Sequence, residues 1–314
     1  MSEKTNVYFL SEITKNYGNG DCILLENIDI NGNIIHALID AGRKVYKGVV
    51  CKFLKKHKVK KLEFFLLTHM HIDHIGDAVS VIKNYEIDKL ILKEYDSKWS
   101  PDGNQKIYEK IIINANKKNI KTIIGVSYES LISEDLSPSR SDEFKKEIAN
   151  LKNKNNFEFF NKDNTNFLFG SAKIQIMNWE IFDINGNLFF PEIKENQKII
   201  YRDIYDNENC NSLGVLVIQG NKKAFFPGDM NNIPKKVGFK KIGDEDRLKE
   251  KIGKIDLLKL GHHGYQHSNT RDYINILSPD YAIITNDPGC IYLETAEYLE
   301  KNNINYLYTT YDEY

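Results

Sequence analysis

The sequence predicts an α/β fold in which helices cover β-sheets, and three observations carry that prediction. Short apolar runs of strand length alternate with stretches whose apolar residues recur at helical spacing. Asn/Gly turns join several of the runs into hairpins. Hydrophobic residues make up 41% and charged residues 28% of the 314 positions, enough for a sizeable core and too apolar for a disordered chain.

Taken in order, CILLEN (22–27) and NIIHALID (33–40) flank Asn31-Gly32, a strong hairpin signal. Residues 46–57 read as a helix, with Val49, Val50, Phe53 and Leu54 on one face. LEFFLL (62–67) is a continuous apolar run that suits a strand buried on both faces. A helix is expected to open near Asp73 and run to Tyr85, followed by the strand DKLILKEY (88–95). Another helix, around 104–118, leads to the strand IKTII (120–124). The stretch 133–166 is rich in Ser, Asp, Glu, Lys and Asn, with a helix expected at 141–153. FLFGSAKIQIMNW (167–179) reads as a hairpin and the acid- and Asn-rich 183–208 as a long loop. LGVLVIQ and KKAFFPGD, joined by Gly220-Asn221, form a second clear hairpin. IDLLKLGHHG (255–264) repeats the earlier grammar, a strand ending in histidines. YAIITND and NYLYTTY add two strands, with a helix over Glu294–Lys301 between them. No Pro/Gly-rich linker divides the chain and no fixed-period repeat runs through it. Residues 1–314 therefore read as one domain with a polar insertion near 125–165.

Lys plus Arg total 43 and Asp plus Glu 44, a formal charge of -1 that argues against a wholly basic nucleic-acid binder while leaving a local basic patch open. No apolar run approaches the roughly 18 residues a membrane span needs. The opening MSEKTNVYFL carries no basic-then-apolar export signal. Cys22, Cys51, Cys210 and Cys290 are scattered with no CxxC pair, so free thiols and a cytoplasmic location are expected.

The eight histidines are unevenly placed: three fall within 69–74, three within 262–267, and none lies between. His69-Met70-His71-Ile72-Asp73-His74 has the form H-x-H-x-D-H, which chance placement would give in about 4 of 10,000 such chains. At the end of an extended strand, residues two apart point the same way, so His69 and His71 can converge on one ion. A turn into a helix then brings Asp73 and His74 toward a second, and Gly76 leaves room for close backbone approach. Imidazole and carboxylate are the ligands of hydrolytic divalent-metal sites.

THMHIDHIGD resembles the signature of the metallo-β-lactamase superfamily. ALIDAG, FFPGD and LLKLGHHG resemble further motifs of that family, in the expected order. Among its branches, YGNGDCILLE, NSLGVLVIQ and GHHGYQHS most resemble the hydrolase domain of ComEC-type DNA-uptake proteins and related soluble phosphodiesterases. The resemblance spans about 8–94, 167–178 and 209–311. It implies a four-layer αβ/βα sandwich with two divalent metal ions at one edge, zinc first and manganese as the alternative. His69 and His71 would hold one ion; Asp73, His74 and either His262 or His263 the other; Asp229 would bridge them. A metal-bound hydroxide would attack the substrate, with Asp73 helping to orient it. Asp40 would orient a ligand. Of the adjacent histidines, which point oppositely in an extended segment, His262 is the expected ligand and His263 the one behind it or facing substrate.

One departure stands out. The family's third motif normally adds a histidine, whereas here Asn207-Glu208-Asn209-Cys210-Asn211-Ser212 occupies the matching place. The first metal would then be weakly held, or completed by Asn209, Asn211, the Cys210 thiolate or water. Cys210 also reads simply as a small buried residue. His36, His57 and His267 read as structural or surface residues, and Asp21 fits a loop cap as well as a site role. The lysine run 55–61 lies at the far end of the strand that delivers His69, whereas Lys259 is better placed to touch an anionic substrate. The expected substrate is a small or nucleic-acid phosphodiester. Rival readings are a lactonase or thioesterase, and a catalytically weak metal-binding module in a multi-protein assembly. The insertion at 125–165 could serve as a lid or as a docking surface for a protein partner.

Overall fold

A computed structural model of the chain describes residues 2–11, 18–43, 48–95, 97, 101–124, 140–151, 156–182, 188–189, 208–237 and 240–309. The first sheet contains β1 (Lys4–Phe9), β2 (Ile23–Ile28), β3 (Ile34–Ile39), β4 (Phe64–Leu66), β5 (Lys89–Leu92), β6 (Lys121–Ile124) and β7 (Phe157–Glu158), in that spatial order. The first three strands are an antiparallel meander, and from β3 onward every pairing is parallel. The second sheet repeats the plan. Its strands β8 (Asn166–Phe169), β9 (Ala172–Met177), β10 (Gly214–Gln219) and β11 (Lys222–Phe226) are antiparallel, and β12 (Leu257–Lys259), β13 (Tyr281–Ile284) and β14 (Asn305–Tyr308) continue in parallel.

Strand alternation sorts the core into layers. Ile23, Leu25, Ala37, Ile39, Phe64 and Leu66 of the first sheet pack against Ile174, Ile176, Val215, Val217 and Phe226 of the second. The opposite face of the first sheet, through Leu24, Leu38, Phe65 and Leu90, meets helices α1 (Val49–Lys56), α3 (Ala78–Asn84), α4 (Gln105–Lys117) and α5 (Asp142–Leu151); α2 (Ile72–Ile75) lies between α1 and α3 in the chain. On the far side of the second sheet, Leu216, Phe225, Leu258, Ala282 and Ile284 meet α6 (Asp244–Ile252), α7 (Arg271–Leu277) and α8 (Leu293–Lys301). The result is the expected helix–sheet–sheet–helix sandwich. LEFFLL is buried on both faces because Phe65 faces the helices while Phe64 and Leu66 face the other sheet.

Several elements differ from expectation. The helix expected from Asp73 to Tyr85 splits into α2 and α3 at Gly76-Asp77, where Asp77 leaves the helical region (φ -105°, ψ 7°). Helices α6 and α7 escape a sequence reading because α6, DEDRLKEKI, is almost all charged and hides its apolar stripe in Leu248 and Ile252. The expected polar insertion is built into the first half where it is described: α5 packs on α4, and β7 adds an edge strand. Residues 125–139 and 152–155 lie outside the described residues, as do 183–187 and 190–207 of the expected loop. The four cysteines are unpaired. Among the described residues no helix is long and apolar enough to cross a membrane.

Candidate metal centre

The C-terminal ends of the parallel strands of both sheets meet at one edge, where α/β sheets gather their functional side chains. From the first sheet come Asp40 after β3 and Thr68 to His74 after β4. From the second come Asp229 after β11 and Lys259 to His263 at the end of β12. Asp21, Asp40, His69, His74, Asp229, Lys259 and His263 are all buried, and His71 is half-buried at the rim.

Each imidazole has one nitrogen tied by a partner, which fixes the nitrogen that faces the centre. His74 Nδ1 donates to Asp40 Oδ2 at 2.7 Å. Asp40 also accepts from the Thr68 amide at 2.8 Å and the Thr68 hydroxyl at 2.7 Å, and that hydroxyl lies 3.1 Å from His69 Nδ1. His263 Nδ1 meets Thr285 Oγ1 at 2.8 Å. His71 is turned the other way, with Nε2 3.2 Å from Asp102 Oδ2. Consequently His69 Nε2 faces His71 Nδ1 at 3.0 Å, and His74 Nε2 faces His263 Nε2 at 3.2 Å. Asp229 Oδ2 stands 3.7 Å from His69 Nε2, 3.2 Å from His74 Nε2 and 3.3 Å from His263 Nε2. Two pairs of facing ring nitrogens around one carboxylate oxygen stay this close only with a proton or a cation between them. The donors form two overlapping groups that share Asp229, His69/His71/Asp229 and Asp21/His74/Asp229/His263, each of which could hold a metal ion.

Asp73 completes the Nε2 side, with Oδ2 3.5 Å from His263 Nε2 and accepting a hydrogen bond from Asn19 Nδ2 at 3.1 Å. Asp21 approaches from behind: it meets the Nδ1 edges of His263 at 3.4 Å and His74 at 3.8 Å, and its Oδ2 is 2.5 Å from the Lys259 ammonium. Asp21 thus lies within ligand reach of His74, Asp229 and His263 together, whereas Asp73 meets the cluster at His263.

Burial and charge pull against each other here. Burial favours the neutral imidazole of His74, but Asp229 and Asp40 outweigh it and carry its pKa up to about 10. Burial, reinforced by the neighbouring charge of His74, holds His69 well below the usual imidazole range. Burial would raise Asp73, but the hydrogen bond from His263 and the charge of His74 hold it well below the usual carboxylate range.

Two expectations meet different geometry. His262 and His263 are not in an extended segment; both adopt left-handed backbone (φ 48° and 53°), so the alternation that favoured His262 does not apply. His263 enters the cluster, and His262 Nε2 instead lies 3.2 Å from Asn209 Nδ2. Lys259 is fully buried, donating to Gly228 O at 2.9 Å and lying 3.5 Å from Asp229 Oδ1, so it sits behind the site rather than facing a substrate. Asn207 is outside the described residues, but 208–212 lie beside the centre. Cys210 donates from Sγ to Asn231 Oδ1 at 3.2 Å and is not among the clustered ligands. Asn211 donates to Glu208.

That segment does other work, which its residue types did not signal. Glu208 Oε1 accepts from the Met70 amide between the first two histidines at 3.0 Å, and Ser212 Oγ accepts from the Asp229 amide at 3.1 Å. Asn269 clamps Gly261, accepting from its N–H and donating to its C=O, both at 2.8 Å, which fixes the turn carrying His263. Gly228 requires no side chain: its φ is +59°, and a Cβ there would lie 2.7 Å from Thr68 Cβ.

The fold is thus an α/β helix–sheet–sheet–helix sandwich whose strand ends carry paired imidazoles around a shared carboxylate that could hold metal. Residues 17–138, a stretch that includes the H-x-H-x-D-H segment, match the family model described as the metallo-beta-lactamase superfamily. The chain is also similar to a crystal structure from Parabacteroides distasonis of a protein provisionally designated a metal-dependent hydrolase. The identity is 9%, the alignment covers 99% of this chain and 100% of that one, and the TM-score is 0.41. No curated protein matches the chain.

Proposed function

We propose that the chain is a metal-dependent phosphodiesterase holding two divalent ions, zinc in the first instance, and working in the cytoplasm. The observation that carries the reading is Asp229 Oδ2 set between the facing pairs His69/His71 and His74/His263. The likeness to ComEC-type hydrolase domains in YGNGDCILLE, NSLGVLVIQ and GHHGYQHS supports a phosphodiester, small or part of a nucleic acid, over a lactone or thioester.

His69 and His71 would hold one ion, and Asp73, His74 and His263 the other, with Asp229 available to both. When bound, the ions acidify a water and offset charge developing on the phosphoryl oxygens. The chain's own residues prepare that chemistry. Asp40, Thr68, Thr285 and Asp102 fix the tautomers, and Lys259 holds Asp229 Oδ1 so that Oδ2 faces the histidines. Asp73, steadied by Asn19, is the carboxylate at which the attacking water can be oriented.

The test measures metal stoichiometry, then turnover of an aryl phosphodiester, an aryl ester and a lactone, with Asp73→Ala and His263→Ala as controls. Phosphodiester turnover that both substitutions abolish supports the proposal. A fully metallated protein that turns over none of the three overturns it in favour of a metal-stabilised binding module.

A further inference from the structure

The buried acids Asp21, Asp40, Asp73 and Asp229 leave the cation that can meet a substrate anion to be found elsewhere than at Lys259. Lys259 is 0% exposed, and its ammonium is occupied by Asp21, Asp229 and the Gly228 carbonyl. Among the described residues, the other lysine or arginine within ion-pair distance of these carboxylates is Arg43.

Arg43 sits at the rim rather than behind it. Its side chain is 37% exposed, and a terminal nitrogen lies 3.8 Å from Asp73 Oδ2. That nitrogen donates to Asn19 Oδ1 at 3.0 Å, and the amide of Asn19 donates in turn to Asp73 Oδ2 at 3.1 Å. The guanidinium is thus tied to the reactive carboxylate by a single side chain, while its buried Nε–H has no partner among the described residues. The backbone just before it is pinned to the same site: the Ala41 amide donates to His74 O at 2.6 Å and the Gly42 amide to Asp21 O at 2.7 Å. A guanidinium carries five donors in a fixed fork, so donors remain for an incoming oxyanion once Asn19 has taken one.

We propose that Arg43 binds a non-bridging phosphoryl oxygen of the substrate beside Asp73, and that it selects an anionic phosphodiester over a neutral ester. This rests on the hydrolase reading above and gives it a substrate charge. A hydrogen bond between charged groups at such a rim is worth roughly a 10- to 100-fold change in binding or turnover. A neutral ester offers Arg43 no charge to pair with and loses little when it is removed.

The test uses the metal-loaded full chain as wild type, Arg43→Met and Arg43→Lys. Three quantities are read: metal stoichiometry, the affinity for inorganic phosphate by titration calorimetry, and kcat/KM for bis(p-nitrophenyl) phosphate against p-nitrophenyl acetate. The expected result is unchanged stoichiometry in all three proteins. Phosphate affinity and phosphodiester kcat/KM fall about 10- to 100-fold in Arg43→Met, while the acetate rate stays within about threefold. Arg43→Lys recovers part of the loss as a point charge without the fork. Equal losses on both substrates, or an unchanged phosphate affinity, overturn the proposal and reduce Arg43 to a brace for Asn19. If the wild type hydrolyses no phosphodiester, the hydrolase reading fails, and the phosphate titration still decides for or against Arg43 as an anion site.

Discussion

Lys259→Met is the sharpest probe of how this centre is held. Methionine keeps most of the volume of the lysine stem but removes the ammonium that contacts Asp21 at 2.5 Å, Gly228 O at 2.9 Å and Asp229 at 3.5 Å. Burial favours neutral lysine, yet Asp21 and Asp229 outweigh it and raise its pKa, so the group is a cation in the native protein. Removing one partner of a buried ion pair typically costs about 3–5 kcal/mol, because the remaining charge is left without compensation. At about 2.1 cal/mol/K per residue, a 314-residue chain unfolds with an entropy near 0.66 kcal/mol/K. The metal-free variant should therefore melt about 5–8 °C below the metal-free wild type. Divalent ions supply positive charge to the same carboxylates, so they recover part of the loss. By linkage, the metal-induced rise in Tm must then be larger in the variant than in the wild type. Thermal unfolding by circular dichroism, with chelator and then with zinc, measures both differences. A metal-free Tm within about 2 °C of wild type would refute the buried-pair reasoning, as would a smaller metal-induced rise in the variant.

Three further outcomes are expected. His263→Ala should lose the ion shared with His74 and Asp73, whereas His262→Ala should keep the wild-type stoichiometry by elemental analysis; the reverse pattern would restore the sequence-based choice. Glu245 is buried and accepts hydrogen bonds from the Asn269 amide and from the amide and hydroxyl of Thr270, and burial, partly offset by those donors, raises its pKa from 4.5 to about 7. The native state then holds a proton that the unfolded chain has released between about pH 4.5 and 7, so this group's contribution falls as pH rises through that window, by at most about 3 kcal/mol. Urea midpoints measured across it should decline and should flatten in Glu245→Gln. Gly228→Ala combines left-handed strain with contact on Thr68, and should destabilise by about 2 kcal/mol or more and weaken metal binding through Asp40; an unchanged urea midpoint would contradict it.

The sequence displayed the parts of this site that are local. H-x-H-x-D-H declares itself because strand alternation followed by one turn of helix is enough to aim four side chains. The two hairpins and LEFFLL were equally legible, since apolar periodicity and Gly/Asn turns are local signals. What could not be read depends on contacts across the fold. That His263 rather than His262 enters the cluster follows from two successive left-handed residues, beside a turn held by Asn269 eight positions along from Gly261. Lys259 looked like a substrate contact because a lysine near a histidine pair carries no mark of burial. Glu208 and Ser212 occupy the segment where a replacement ligand was expected, yet they act by hydrogen-bonding the amides of Met70 and Asp229. Thr285 and Asp102 fix ring tautomers from remote positions, and no single-sequence signal distinguishes such residues from any other polar side chain.

The repeated plan of the two sheets explains why the centre joins both halves of the chain. Each sheet passes from an antiparallel meander into parallel strands, and each delivers its polar residues from the strand ends. The first half supplies Asp40, His69, His71, Asp73 and His74, and the second supplies Asp229, Lys259 and His263. Neither half closes the donor set alone, since His69 and His71 need Asp229 and His74 needs His263. The side chains that join the halves stand at the edge of the inter-sheet core in which Phe64 and Leu66 meet Val215 and Phe226. Packing of that core therefore sets the distances on which metal affinity depends, and a bound ion in turn stabilises the packed form by mass action. Residues 17–138 carry the candidate ligands that lie close together in sequence, while Asp229 and His263 are joined to them only through the fold.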